Sequence, residues 1–346
     1  MPSPRLQQFE RHAFDAALQQ NGSQAYEKNT GRKEFEDKFE QLFTSLLDQN
    51  GKHIKKQFLR IRECPCCAAK GNFTRQFIKF QIPIVSCNTC KMVFASPCLS
   101  SAGEEHLLED TSVWTDEHIS FLTSPTYEKY AKLRYGYELS IVETFCSDEK
   151  GNHLDIGSGT GLMIEMAEKF HWDSYGIEPN AISNQIAQKK GLRVKQGWFP
   201  QDRFEGVSFD LVTMIDVLEH IADVDGFLKA THRSTKPGKL LFIQVPNLHS
   251  LCLQLSGPDH HSNNGLFHVN YFSAETLKAI VEKAGFRHLH TESILTEMSI
   301  ISQYTNAQIQ QKLDVLNSNL TAANLTADAI LDHMLGYKLI AIFQKV

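Results

Sequence analysis

The chain has 346 residues, room for about two domains, and its apolar share of 42% and charged share of 22% exclude a mostly disordered or collagen-like polymer. A formal charge of -5 supplies no overall positive field for a polyphosphate backbone, so composition argues against a nucleic-acid partner. The opening residues MPSPRLQQFERHAF hold no apolar run of signal length, and no stretch approaches the roughly 20 apolar residues that span a bilayer; the expectation is a cytoplasmic protein without a membrane partner.

Residues 1–60 read as a helical N-terminal segment, because Phe35, Phe39, Leu42, Phe43, Leu46 and Leu47 recur at steps of three and four. Residues 61–98 differ. Cys64 and Cys67 in CPCC, and Cys87 and Cys90 in CNTC, make two pairs with two-residue gaps, separated by the nineteen residues Ala68 to Ser86. Each short gap lets one tight knuckle present two thiolates to one ion, and four thiolates satisfy tetrahedral zinc, so the pattern predicts a ribbon holding one structural Zn2+. With no coordination position left over, that ion is not a Lewis acid. Between Cys64 and Cys98 the charged residues are Lys70, Arg75, Lys79 and Lys91; set against a tetrathiolate zinc of charge -2, about +2 remains, little for tracking phosphates. Residues 99–150 reverse the balance, with 11 acids against 4 bases, a difference of -7, and helical spacing from Tyr127 to Phe145. They read as a helical connector.

From residue 151 to residue 346 short apolar strands alternate with helices: HLDIG, LMIEMAEKF, DSYGIE, AISNQIAQKKG, FDLVTMID, KLLFIQVPN. That alternation predicts an α/β domain with a parallel sheet. FRHLHTES and YKLIAIFQKV read as two further strands, joined by a helical insertion over about 302–336 in which Ile309, Leu313, Leu316 and Leu320 fall at helical steps. Such a stripe packs by default, although a lid or a dimer face are alternatives.

The run HLDIGSGTG passes from a strand through Gly157, Gly159 and Gly161 into a helix near Leu162. Residues without Cβ allow a tight turn and close approach of a ligand to the backbone. A dinucleotide fingerprint wants its third glycine where Leu162 stands, and no Gly-Lys-Ser/Thr follows for a P-loop. One strand later, Glu178 in GIEPN can accept hydrogen bonds from both hydroxyls of a ribose. Together the two features suit an adenosine without phosphates.

LDIGSGTG, GIEPN, FDLVTMIDVLEHIADVDGFLKATHRSTKPGKLLFIQVPN and HVNYFSAETLKAIVEKAGF, in that order, make residues 130–346 resemble the class I S-adenosylmethionine-dependent methyltransferases. The resemblance implies a Rossmann-like seven-stranded sheet whose last two strands form an antiparallel hairpin. It also implies that Asp155 and the loop of Gly157, Ser158, Gly159 and Gly161 hold the methionine end, that Glu178 holds the ribose, and that Asp216 ends the fourth strand beside the cofactor. Where many relatives carry an acid for the adenine, this chain has Gln196, Gly197 and Trp198, and Gln196 is the candidate adenine partner. The ribbon, VFASP and connector ahead of this block are similar to a group that includes sugar C-methyltransferases.

Methyl transfer from a sulfonium is an in-line displacement that needs an aligned nucleophile. An acceptor hydroxyl or acidic C–H must also lose a proton, which histidine can take near neutral pH. The candidates are His220 in DVLEHI and His268 in FHVNYF, with Tyr271 nearby and His260 and His261 on the same connection; Glu219 reads as structural. The expected function is S-adenosylmethionine-dependent methylation of a small polar metabolite, a sugar or nucleotide-linked sugar, by a chain able to form a homodimer. An RNA methyltransferase guided by its ribbon and a non-catalytic scaffold are the alternatives. Against RNA stand the acidic total and MIDVLEH where a base-flipping motif would lie.

Overall fold

The computed structural model describes residues 39–109, 119–146 and 150–346. Phe35, and with it most of the expected N-terminal helical segment, lies outside them. The first described helix, α1 (Phe39–Ser45), gives way at Leu47 to an isolated antiparallel bridge with Ile54. Two short antiparallel strands, β1 (Leu59–Arg60) and β5 (Cys98–Leu99), then bracket the cysteine region, which holds β2 (Phe73–Lys79), β3 (Ile82–Cys87) and β4 (Val93–Ala95). The β2–β3 hairpin turns on Phe80 and Gln81, both at positive φ, which matches the turn to the right-handed twist of its strands. Helices α2 (Ser101–Glu109) and α3 (Pro125–Glu143) follow. Ser124 caps α3 by accepting from the amide of Tyr127, and Pro125 occupies the first turn, where a missing N–H costs nothing.

The larger part of the chain is a seven-stranded sheet. Its elements run β6 (Asn152–Ile156), α4 (Leu162–Lys169), β7 (Asp173–Glu178), α5 (Ala181–Lys189), β8 (Val194–Gln196), β9 (Phe209–Ile215), α6 (Val224–Ser234) and β10 (Thr235–Pro246). After α7 (Leu251–Ser256) come β11 (Asn270–Tyr271), α8 (Ala274–Lys283), β12 (Phe286–Ile294), α9 (Met298–Ile301), α10 (Asn306–Val315), α11 (Ala327–Asp332) and β13 (Lys338–Lys345). In space the order is β12-β13-β10-β9-β6-β7-β8, parallel except that β13 runs antiparallel to both its neighbours. YKLIAIFQKV and FRHLHTES therefore form the expected hairpin, with β13 seated inside the sheet.

Both faces of this sheet are covered, which is why its strands are apolar runs and not alternations. Leu241, Ile243 and Val245 of β10 face the side packed by α6, α8 and the cysteine region, while Leu240 and Phe242 face α3, α4 and α7. Each such buried aliphatic or aromatic side chain contributes about 2 kcal/mol through area removed from water. The expected helix through Leu320 stops sooner: Leu316 caps α10 and Asn317 turns left-handed at φ 52. Ile309, Leu313 and Ile330 of the insertion are buried against the α3 side of the core, so packing is what its apolar stripe does.

The small sheet is not built from the cysteine region by itself. Its order is β11-β4-β3-β2, so residues 270–271, from far along the chain, supply an edge strand paired with β4. Among the described residues no helix is long and apolar enough to cross a membrane.

Candidate functional site

A cavity of about 770 Å³ opens at the C-terminal ends of β6, β7 and β9, the end at which open α/β sheets take ligands. Asp155, Gly157, Ser158, Gly159 and Glu178 line one part of it; Asp216, His220 and His268 line another.

Gly161 and Gly159 meet two different requirements of the turn. Gly161 adopts φ 85 as the N-cap of α4, and a Cβ there would lie 2.3 Å from Leu192 Cδ1. Gly159 adopts φ 52, but a Cβ on it would meet nothing within 4 Å, since its α-carbon looks into the cavity. That open approach is what a bound ligand's close contact with the backbone needs. Gly161 itself packs behind the turn and does not line the cavity.

Glu178 is buried, with Oε2 accepting from the Gly159 amide at 2.8 Å and Oε1 from the Asn180 amide at 2.7 Å. Burial raises its pKa and the two amides oppose that rise. Each oxygen keeps a further lone pair, so the carboxylate braces the turn and can still accept ribose hydroxyls. Asp155 Oδ1 accepts from Thr213 Oγ1 at 2.6 Å, and burial pushes its carboxyl up to about 7 against that bond.

Asp216 closes β9 with a left-handed φ of 54. Its Oδ1 accepts from Lys338 Nζ at 2.8 Å and from Gln244 Nε2 at 3.1 Å. Burial works to raise this carboxyl, but the Lys338 and Arg134 cations prevail and hold it low. Lys338 starts β13 and is only 6% exposed, a charged residue at the head of an apolar strand. That oddity in YKLIAIFQKV was the sequence signal for a buried ion pair, and sequence reasoning passed over it. Tyr127 and Tyr135, from α3, also line the cavity. They belong to a stripe at helical spacing, where spacing cannot separate a core residue from a wall residue.

His220 and His268 are brought together from separate connections. Their rings stand 4.9 Å apart, centroid to centroid, at 74°. His220 Nδ1 donates to the Phe267 carbonyl at 2.9 Å, which leaves Nε2 as the ring's free acceptor. Asn264 Oδ1 accepts from the amides of Phe267 and His268 and so holds the loop that carries the second ring. Burial, and then the His220 ring, keep the His268 imidazole well below its ordinary value. Beneath the pair lies Glu219, 1% exposed; among the described residues neither of its carboxylate oxygens has a hydrogen-bond partner.

Besides Gly161, three expected residues fall elsewhere. Tyr271 does not line the cavity: its ring packs in the core of the small sheet, edge-on to Phe77, and its hydroxyl accepts from the Gly265 amide at 3.1 Å. The two-residue pitch of β11 causes this, turning Asn270 toward the His220 loop and Tyr271 away from it. Gln196 is exposed at the tip of edge strand β8 and does not line the cavity, whereas Trp198, 54% exposed, does. Of the other histidines, His261 lines the cavity and His260 is buried at its back.

At the opposite side of the small sheet the Sγ atoms of Cys64, Cys67, Cys87 and Cys90 lie within 4.8 Å of one another. Cys64 and Cys90 are 3.4 Å apart and Cys67 and Cys87 3.6 Å. Tetrahedral zinc with Zn–S near 2.3 Å requires sulfurs roughly 3.8 Å apart, so the quartet fits that ion. Cys66 falls outside the quartet and is buried against the core.

A family model described as a methyltransferase domain matches residues 131–291. The ubiquinone biosynthesis O-methyltransferase of Azorhizobium caulinodans is 30% identical over 115 residues, covering 31% of this chain and 46% of that protein. Its counterpart in Sinorhizobium medicae is 32% identical over 120 residues, covering 31% and 48%. This chain thus spans about half the length of the curated relatives it matches. Among solved structures, an S-adenosylmethionine-dependent methyltransferase from Archaeoglobus fulgidus is similar at 19% identity with a TM-score of 0.45, covering 63% of this chain and 94% of that one. One from Mesorhizobium loti is similar at 14% and 0.42, covering 60% and 97%.

Proposed function

Proceeding from a methyltransferase domain at residues 131–291, we propose that this chain moves a methyl group from S-adenosylmethionine to a hydroxyl oxygen of a small polar metabolite, a sugar or nucleotide-linked sugar in class. The observation that carries the reading is the shared cavity, which sets the glycine turn and Glu178 on the same wall system as the paired imidazoles of His220 and His268. The relatives' O-methyltransferase names support oxygen as the acceptor atom.

S-adenosylmethionine supplies the electrophilic methyl carbon. The chain's own contribution is to bind and orient. Gly159 gives the cofactor close access to the backbone, Glu178 accepts the ribose hydroxyls, and Asp155 and Ser158 meet the methionine end. Asp216, kept ionised by Lys338, places negative charge beside a cationic cofactor. The acceptor's proton is removed at the His220–His268 pair. A homodimer formed by the chain, and one structural zinc on the cysteine quartet, belong to the same proposal.

The deciding experiment incubates the full chain with methyl-labelled S-adenosylmethionine and a panel of nucleotide-sugars and cell metabolites, followed by mass analysis. A product heavier by one methyl on an oxygen is the expected result. Labelled RNA with no labelled small molecule would overturn the acceptor class. Metal analysis should find about one zinc per chain, lost in Cys87→Ser; a stable, zinc-free wild-type chain would overturn the ribbon.

A further inference from the structure

We propose that Glu219, His220 and His268 form a second metal site, open to the cavity, for a divalent transition-metal cation such as Mn2+, Co2+ or Zn2+. One ligand atom from each of the three residues falls within 4.8 Å of the other two. Two imidazoles and one carboxylate are a donor set suited to first-row divalent ions, and three protein ligands leave positions free for other ligands.

Two independent features point to a cation. The first is Glu219: a carboxylate that is 1% exposed and, among the described residues, unpartnered at both oxygens. Burying a carboxylate without a counter-charge is expensive, and such groups are found paired or on metals. Lys338, the ammonium whose charge reaches Glu219, is already committed to Asp216 at 2.8 Å. The second is the preparation of the histidines. The bond from His220 Nδ1 to the Phe267 carbonyl fixes the tautomer with Nε2 unprotonated, the second-shell arrangement that metal-ligating imidazoles use. Asn264 pins the backbone that carries the His268 ring. Packing of two rings edge to face would explain their contact, and burial, which pushes the Glu219 carboxyl up to about 8, would let it stand as a neutral acid, but neither supplies a partner for its two orphaned oxygens.

The inference deepens the proposed methyl transfer and rests on it for its consequence. Because His220 and His268 line the cavity, the open coordination positions face the acceptor. An acceptor hydroxyl bound there is acidified by the cation and sheds its proton to water in the cavity. The oxygen then forms its bond to the methyl carbon as the carbon–sulfur bond breaks, with that bond's electron pair staying on sulfur. The sulfonium becomes a neutral thioether, and one proton is released per methyl moved. The imidazoles act on the acceptor's proton through the ion and not by accepting it.

The test needs no acceptor. The full chain, with zinc retained on its quartet, is titrated with Co2+ and followed by calorimetry, thermal unfolding and absorption. The expected result is one Co2+ per chain beyond the zinc, without a thiolate-to-cobalt charge-transfer band, and a raised midpoint of unfolding. Glu219→Gln and His268→Ala should each weaken Co2+ at least tenfold and lose the rise in midpoint, while S-adenosylmethionine affinity stays within twofold. Should one variant fail to fold, the other carries the comparison. A wild-type chain that takes no Co2+ beyond the quartet, or variants that bind it as tightly as wild type, would overturn the site. Absent binding of S-adenosylmethionine would instead overturn the methyl-transfer reading, with the cobalt result standing on its own.

Discussion

Glu178 serves two ends through one carboxylate in the proposed binding mode, because the oxygens that would accept the ribose hydroxyls also tie down the Gly159 and Asn180 amides. Glu178→Ala should therefore weaken S-adenosylmethionine binding by more than about tenfold in calorimetry and also lower stability by about 1–3 kcal/mol through the two orphaned donors. Behind Asp155 runs a buried chain of hydrogen bonds. Thr213 donates to Asp155, so it must accept from His153 Nε2, whose Nδ1 in turn accepts from Ser174 Oγ at 3.1 Å. Burial drives the His153 imidazole down to about 3 from an ordinary 6.5. Its contribution to stability is full above pH 6.5 and lost as pH falls toward 3, since only the unfolded chain takes the proton in that window. Between pH 7 and 4.5, wild type should lose about 2 kcal/mol more than His153→Gln in urea unfolding, and equal losses would refute this account. Glu178 and Asp216 could be picked out because short motifs mark strand tips, and both line the cavity. Glu219 reads as structural from the sequence, where no spacing reveals whether a carboxylate will find a partner; in the structure its oxygens are buried without one among the described residues.

Among the elements, the glycine turn separates binding from folding within five residues. Gly161→Ala would force a methyl to 2.3 Å from Leu192 Cδ1 at a left-handed φ, and should cost about 2 kcal/mol in urea unfolding with the cavity little altered. Gly159→Ala meets open space and pays only for its φ, about 1 kcal/mol, but puts a methyl into the cavity where the proposed cofactor would lie, so its main effect should be lost affinity. Calorimetry and urea unfolding on the two variants check the contrast. The parallel strands were readable from sequence because burial on both faces writes them as continuous apolar runs, as in FDLVTMID and KLLFIQVPN. β11 was not: a two-residue strand has no period, and its pairing with β4 is decided by residues some 175 positions away. The same blindness put Tyr271 in the catalytic set.

Across the whole molecule, the cysteine region and the seven-stranded sheet's connections meet through Arg62. Its buried guanidinium donates to the carbonyls of Val269 and Ala222 and to Asn270 Oδ1, at 3.0, 2.8 and 2.9 Å, two residues before the first cysteine of the quartet. Asn270 Nδ2 continues the link to the carbonyls of Leu218 and Ile221, so both histidine loops hang from one side chain. Arg62→Met should keep the zinc yet lower stability by about 3 kcal/mol, read by metal analysis beside thermal unfolding; an unchanged midpoint would show the link to be idle. The seating of β13 between β10 and β12 has a consequence for how the molecule comes into being. Translation delivers residues 338–345 after the other six strands of their sheet, so until they emerge two apolar strands present bare amides and carbonyls to the crowded cell. The nascent chain is thus exposed to edge-to-edge clumping for as long as the ribosome takes to read the insertion, and a chaperone that shields strand edges would act in that interval.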